Sequence, residues 1–266
     1  MTTIASPQNP RLKMLRRLAT RRGRAQGGRF FAEGEDLVAA AAAAGREAVE
    51  GYRLAGSALG GAAFHDVEAT TLAAVSTLGS GTRAIGVYEQ RWLRAPAGPL
   101  CVYLHGVGDP GNVGTVLRGA LAFGASCVAL GPGCADPHAP KAVRASMGAI
   151  FAVGIARVAD LEDLPGERVA LVAGMGEPLS AMSASLARAG ALSLLVGAER
   201  EGLPPEVLAA CARVAHIPIA SESLNAAMAA TVALYEIARA RTISPAGERA
   251  RASAPAGEQT SRVPAS

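Results

Sequence analysis

Five short, continuous apolar runs constrain this chain more than any other feature: residues 100–104, 127–130, 169–173, 192–196 and 214–217. Helical patterns lie between or after them, notably over 113–123, 205–212 and 224–240. Unbroken apolar strands alternating with helices predict a parallel sheet covered on both faces, an α/β architecture. In such sheets ligands gather at the carboxyl ends of the strands, so the loops that follow the runs are where chemistry is expected.

Composition narrows the class further. A chain of 266 residues allows one or two domains with a sizeable core. Half of it is hydrophobic but only 4% is aromatic, which suits alanine-rich helices on a Val/Leu sheet better than a β-sandwich. Gly, Arg and Glu interrupt every apolar run before the roughly 18 residues a bilayer span needs, so no membrane partner is expected. The opening Met1-Thr-Thr-Ile-Ala-Ser-Pro7 has no apolar core of a secretory signal, which predicts a cytoplasmic protein. Cys101, Cys127, Cys134 and Cys211 form no Cys-x-x-Cys pair, and His65, His105, His138 and His216 lack ligand spacing. Buried thiols are expected, with neither a metal site nor a disulfide framework.

The first 30 residues are a separate case. They carry Arg11, Lys13, Arg16, Arg17, Arg21, Arg22, Arg24 and Arg29 and no acid. Such a block suits a phosphate backbone. It equally suits a solvated amphipathic helix with Leu12, Leu15 and Leu18 packed inward. The spacing predicts a helix over 11–22, a flexible basic turn over 23–28, a strand at 30–33 and a helix over 36–44. Further strands are expected at 51–55, 62–65 and 84–88. The linker-like Arg94-Ala-Pro-Ala-Gly-Pro99 sets a boundary, giving a small α/β unit over 1–95 and a larger one over 96–243. The tail over 244–266, rich in Ala, Pro, Ser, Gly and Arg, reads as disordered.

Three polar loops follow the apolar runs. The first, His105 to Gly114, contains Gly106-x-Gly108-x-x-Gly111 but no acid at the end of the next strand, Val128-Ala-Leu-Gly131, to hold a ribose. A dinucleotide fingerprint is therefore rejected. What remains is a glycine-rich turn entering a helix, with Asn112 at its cap and Arg118 nearly two turns in. Arg118 stands alone among apolar neighbours, as a solvated arginine or a phosphate ligand. The second loop is Gly197-Ala-Glu199-Arg-Glu-Gly202, where Gly197 permits close backbone approach and Glu199 accepts hydrogen bonds. The third, Ser221-Glu-Ser223-Leu224-Asn225, precedes a long apolar helix and reads first as an N-cap.

Taken in order, Asn112-x-Gly114…Arg118, Gly197-x-Glu199-x-x-Gly202 and Ile217-Pro218…Ser223-Leu224-Asn225 resemble the three signature motifs of the SpoU–TrmH branch of SPOUT RNA methyltransferases. The resemblance covers about residues 100–240. Ser6…Asn9-Pro10…Lys13 and Phe31-x-Glu33-Gly34 are similar to the family's N-terminal substrate-binding domain, itself similar to RNA-binding ribosomal proteins. Ile219 stands where the family commonly has Met, and Ala226-Ala-Met where Val-Ser-Val is usual.

The resemblance implies a parallel-sheet SPOUT fold with a C-terminal deep trefoil knot, a feature that periodicity alone cannot reveal. It implies S-adenosylmethionine held by Gly197, Ile217 and Leu224, a homodimer, and methyl transfer to a ribose 2′-hydroxyl. Arg118, Asn112, Glu199, Ser223 and Asn225 match the family's catalytic set. An RNA substrate is implied, 23S ribosomal RNA favoured over transfer RNA, with Arg11, Lys13, Arg16, Arg17 and Arg24 as phosphate contacts. The competing readings are a catalytically silent RNA-binding relative and a nicotinamide-dependent oxidoreductase.

Overall fold

The computed structural model describes residues 3–78 and 81–243; the tail expected to be disordered lies outside them. The elements of the first unit are α1 (Pro10–Leu18), α2 (Arg21–Gly27), β1 (Arg29–Glu33), α3 (Glu35–Ala43), β2 (Glu50–Leu54), β3 (Phe64–Val67), α4 (Ala69–Ala73) and β4 (Ala84–Glu89). Its sheet has the order β1-β4-β2-β3, with β4 antiparallel to both neighbours and β2 parallel to β3.

Helix α1 starts where its sequence says it should. Asn9 accepts from the Arg11 N–H at 3.0 Å and Pro10 occupies the first turn, where it has no N–H to waste. Leu12, Leu15 and Leu18 are buried against Phe31, Tyr52, Ile85 and Val87 of the sheet. Each such side chain contributes on the order of 1.5–3 kcal/mol when fully buried, so this stripe docks the helix and leaves Arg11, Lys13, Arg16 and Arg17 in solvent. The basic turn expected over 23–28 is instead helix α2. Thr20 caps it by accepting from the Gly23 N–H at 3.1 Å, and Gly28, at φ +61°, ends it in the left-handed conformation.

The second unit contains β5 (Leu100–Leu104), α5 (Pro110–Ala122), β6 (Cys127–Leu130), α6 (Pro140–Ala145), α7 (Ala149–Ala152), β7 (Gly154–Arg157), β8 (Glu167–Leu171), β9 (Glu177–Pro178), α8 (Leu179–Arg188), β10 (Leu192–Val196), α9 (Pro205–Ala209), β11 (Arg213–His216) and α10 (Ala226–Ile243). Its seven strands run in the order β7-β6-β5-β10-β8-β11-β9, every pairing parallel. Side chains alternate across it. On β5, Leu100, Val102 and Leu104 enter the core beneath α5 and α10, while Cys101 and Tyr103 face the opposite core with Val158, Leu203 and Val207. Both faces are covered, which is why the strands read as continuous apolar runs.

The two sheets separate between Glu89 and Leu100, but they are not independent bodies. Phe30 and Tyr88 of the first pack their rings on Phe151 of the second, at 5.8 and 4.8 Å between centroids. Arg24 crosses as well: it is buried, its guanidinium lies 2.7 Å from Asp136, and it also donates to the Leu18 and Ala19 carbonyls. Arg24 is therefore withdrawn from the set of phosphate contacts, because an arginine buried and committed to an acid has no surface to offer RNA. No helix among the described residues is long and apolar enough to cross a membrane.

Candidate functional site

The parallel strands bring three loops to one edge. β5 and β10 are neighbours in register, Leu104 opposite Val196, so the segments that leave their carboxyl ends emerge side by side. From the first, Asp109 caps α5 by accepting from the Gly111 and Asn112 N–H groups at 2.6 and 3.1 Å. The cap is thus Asp109 and not Asn112, and Asp-Pro at a helix start was the signal for it. Freed from capping, Asn112 donates through Nδ2 to Glu199 Oε1. Asn225 donates to both, at 3.2 Å to Asn112 Oδ1 and 3.3 Å to Glu199 Oε1. The Asn225 side-chain oxygen also accepts from the Ala227 and Met228 N–H groups at 3.0 and 3.2 Å, which makes it the N-cap of α10.

Beside this cluster lies a cleft of about 330 Å³, within the range of small-molecule sites. Leu171, Val196 and Ile217 give it an apolar floor, and Gly197 to Leu203 with Ser223 and Leu224 form its rim. Glu199, Arg200 and Glu201 line both this cleft and the open space over Asn112 and Asn225. Gly197 is fixed by more than ligand approach: a Cβ there would collide with the Gly202 carbonyl, whose residue closes the loop by donating its N–H to Ala198 O at 2.9 Å. Gly114 likewise serves packing, since a Cβ would strike the Ala142 carbonyl and the Ala145 Cβ of α6.

A family model described as SpoU rRNA Methylase family matches residues 99–235, and one described as MRM3-like substrate binding domain matches residues 9–85. The chain belongs to the SpoU rRNA methylase family of RNA methyltransferases.

This SpoU-family chain is 30% identical over 259 residues to an uncharacterized tRNA/rRNA methyltransferase of Synechocystis, covering 90% of itself and 94% of that relative. It is 26% identical to the Bacillus subtilis 23S rRNA (guanosine(2553)-2′-O)-methyltransferase RlmP, covering 89% and 99%. Some mycobacterial relatives are matched over only half their length. An AdoMet-bound rRNA methyltransferase from Sinorhizobium meliloti superposes with a TM-score of 0.79 at 30% identity, over 91% of this chain and 99% of that one.

Within the SpoU-family architecture, Gly197, Ile217, Leu224 and Ser223 meet in the cleft, and Asn112, Glu199 and Asn225 meet beside it. Arg118 joins neither. It is exposed on α5, about 9 Å along the helix and about 120° around it from Asn112. Two residues outside the three motifs do join: Asp109 of the first polar loop, and Lys141 of α6, whose ammonium lies 2.6 Å from the Asp109 carboxylate. That hydrogen bond, opposed by burial and helped by the two capping N–H groups, lowers the Asp109 pKa.

Proposed function

We propose that this protein transfers a methyl group from S-adenosylmethionine to a ribose 2′-hydroxyl, in 23S ribosomal RNA ahead of transfer RNA, and does so in the cytoplasm as a homodimer. The observation that carries the reading is the convergence of three motif segments, the outermost 113 residues apart, on one cleft and one polar cluster at the carboxyl edge of a parallel sheet. The B. subtilis relative is named as a 23S rRNA 2′-O-methyltransferase, which supports the substrate. The apolar floor with a backbone-rich rim fits a nucleoside-bearing cofactor: Ile217 and Leu224 offer an apolar slot, and the Gly197–Gly202 loop offers main-chain groups. S-adenosylmethionine, when bound, supplies the electrophilic sulfonium methyl. The passage of the C-terminal segment through a loop to form a knot belongs to the same proposal, supported by the non-sequential strand order and by α10 packing back on α5 and α8.

Asn112, Glu199 and Asn225 hold one another in a single arrangement before substrate arrives, which lowers the cost of orienting a hydroxyl for in-line attack. Arg118 cannot take the proton, because a guanidinium does not deprotonate in proteins. Its role is to hold the RNA phosphate and the charge developing on the ribose oxygen. Its distance from the cluster is an argument for the homodimer. Arg118 is exposed on α5, which packs on α10 through Gly119 and Phe123, and Met228, Val232 and Tyr235 form an exposed apolar stripe of α10. A twofold partner covering that stripe would carry each Arg118 towards the other protomer's cleft.

Arg118→Ala should abolish methyl transfer while leaving S-adenosylmethionine binding, read by calorimetry, nearly intact; near-normal turnover would overturn the assignment. Mapping 2′-O-methyl sites in RNA from cells with and without the protein should reveal the loss of one 23S site. A lost transfer-RNA site would favour the alternative substrate, and no lost site would refute the reaction.

A further inference from the structure

A second cavity opens on the same edge of the large sheet, between the two units. It holds about 460 Å³ and lies over the carboxyl ends of β6 and β7. Trp92 and Arg157 form its distinctive wall, the guanidinium carbon 4.3 Å from the indole centroid. Arg157 is exposed, and Trp92 is half-buried. The indole is held in place. Its N–H donates to Gln90 Oε1 at 3.3 Å, Gln90 in turn donates to the Arg29 carbonyl at 3.3 Å, and the ring edge rests on His138 at 5.1 Å between centroids.

The charge at this cavity is cationic. Arg21 of α2 lines it together with Arg157, and the acidic lining residue, Asp136, is neutralised by its ion pair with Arg24. A smaller hollow on the outer side, lined by Trp92, Leu93, Arg94 and Arg157, adds another arginine. An aromatic ring, a guanidinium seated over it and cations on two sides are what a single-stranded nucleic acid requires: flat π surface for a base and positive charge for its phosphates.

The position adds to this. All strands are parallel, so the ends of β7, β6, β5 and β10 lie along one edge, spaced about 4.8 Å apart. The loops are tied together as well. Gly106, after β5, donates to Pro132 O at 2.9 Å after β6, and His105 donates to Val196 O at 2.9 Å on β10. The Trp92–Arg157 wall is therefore on the order of 10–15 Å from the Glu199 loop. Arg21 belongs to α2, which packs on α1, and the two helices carry the exposed cations Lys13, Arg16, Arg17 and Arg22.

We infer that Trp92 and Arg157 form a stacking subsite for an unpaired base of the RNA, displaced from the nucleotide whose ribose reacts. The subsite rests on the RNA-methyltransferase reading, but binding tests it apart from the reaction. Trp92 is the only tryptophan of the chain, so its emission reports on this wall alone. Titration of the full-length protein with oligoadenylate and oligouridylate hexamers should quench that emission saturably, more weakly at high salt. Arg157→Glu should weaken hexamer binding at least about tenfold, the scale of one lost stacked base and one lost cation, while S-adenosylmethionine binding stays unchanged. Trp92→Phe, measured by filter binding, should keep affinity within about threefold, and Trp92→Leu should lose about tenfold, since only the aromatic ring stacks. Hexamers that bind without altering Trp92 emission, or bind Arg157→Glu as tightly as wild type, would overturn the subsite, as would failure to bind them at all. Saturable quenching in a protein that methylates no RNA would keep the subsite and refute the reaction instead.

Discussion

Asn225 uses the two ends of one amide for two purposes, and substitutions can separate them. Its oxygen caps α10, accepting from two N–H groups at 3.0 and 3.2 Å. Its nitrogen ties Asn112 to Glu199 at 3.2 and 3.3 Å. Asn225→Ala removes both: losing the cap costs about 1 kcal/mol, or about 2–4 °C in Tm for a domain of this size. Asn225→Asp keeps the cap and places a carboxylate at the positive end of the helix, a gain of about 0.3–1 kcal/mol. It also turns an acceptor towards Glu199 Oε1 at 3.3 Å, where repulsion in this exposed setting is about 1.3 kcal/mol at the dielectric of water. These nearly cancel, so the Asp variant should melt within about 2 °C of wild type, a shift near RT in energy. Its methyl transfer should nevertheless fall tenfold or more, because the cluster has lost a donor and gained a charge. Scanning calorimetry and a labelled-methyl assay on the same preparations read the two outcomes. An Asp variant with wild-type turnover, or an Ala variant with unchanged Tm, would refute the division of labour.

Charge reversal at Arg16 and Arg17, exposed on α1, should weaken RNA binding and lower the salt slope by about 0.7–0.9 for each phosphate no longer neutralised; an unchanged slope would return α1 to a solvated helix. The Asp136 carboxyl sits well below the usual carboxylate range: burial pushes it up, but the nearby His138 ring, the His138 N–H and the Arg24 guanidinium outweigh this. A carboxyl depressed in the folded state stabilises above its unfolded pKa, about 3.9, and loses that contribution as pH falls through the folded value. Urea unfolding should therefore show wild-type stability falling below about pH 4, with a shallower fall in Asp136→Asn. That variant should also be about 3–5 kcal/mol less stable at pH 7, where it leaves Arg24 buried and unpaired; equal slopes in the two proteins would refute this. Gly114→Ala should lose about 1–3 kcal/mol through overpacking between α5 and α6, with RNA affinity retained in the folded fraction; unchanged denaturant stability would return Gly114 to ligand approach.

How much of this was legible in sequence depended on where each interaction partner lay. β5, β6 and β10 coincide with their apolar runs residue for residue, since strands buried on both faces advertise themselves in every position. β7 and β9 do not: both are sheet edges, one beginning with Gly and ending with Arg, the other only Glu177-Pro178. The glycines around α2 suggested a turn, yet only Gly28 needs a positive φ there, and Thr20 starts a helix ahead of it. The leucine stripe of α1 was visible as period. The burial of Arg24 was not, because its acid lies 112 residues further on.

The polar cluster shows the same limit more sharply. Each of its members could be named from a motif, but their meeting depends on strand order. β5 leads in sequence to β6, which pairs on one side of it, whereas the site is built on the other side, where β10 inserts between β5 and β8. Once that neighbour is fixed, little freedom remains. Val196 lies opposite Leu104, Glu199 follows three residues after the one and Asn112 eight after the other, with Asp109 starting a helix between. Asn225 then reaches them because α10 packs on α5 through Gly119, where a side chain would crowd Thr231. The chemistry of this site is local in sequence, and its geometry is a property of the sheet.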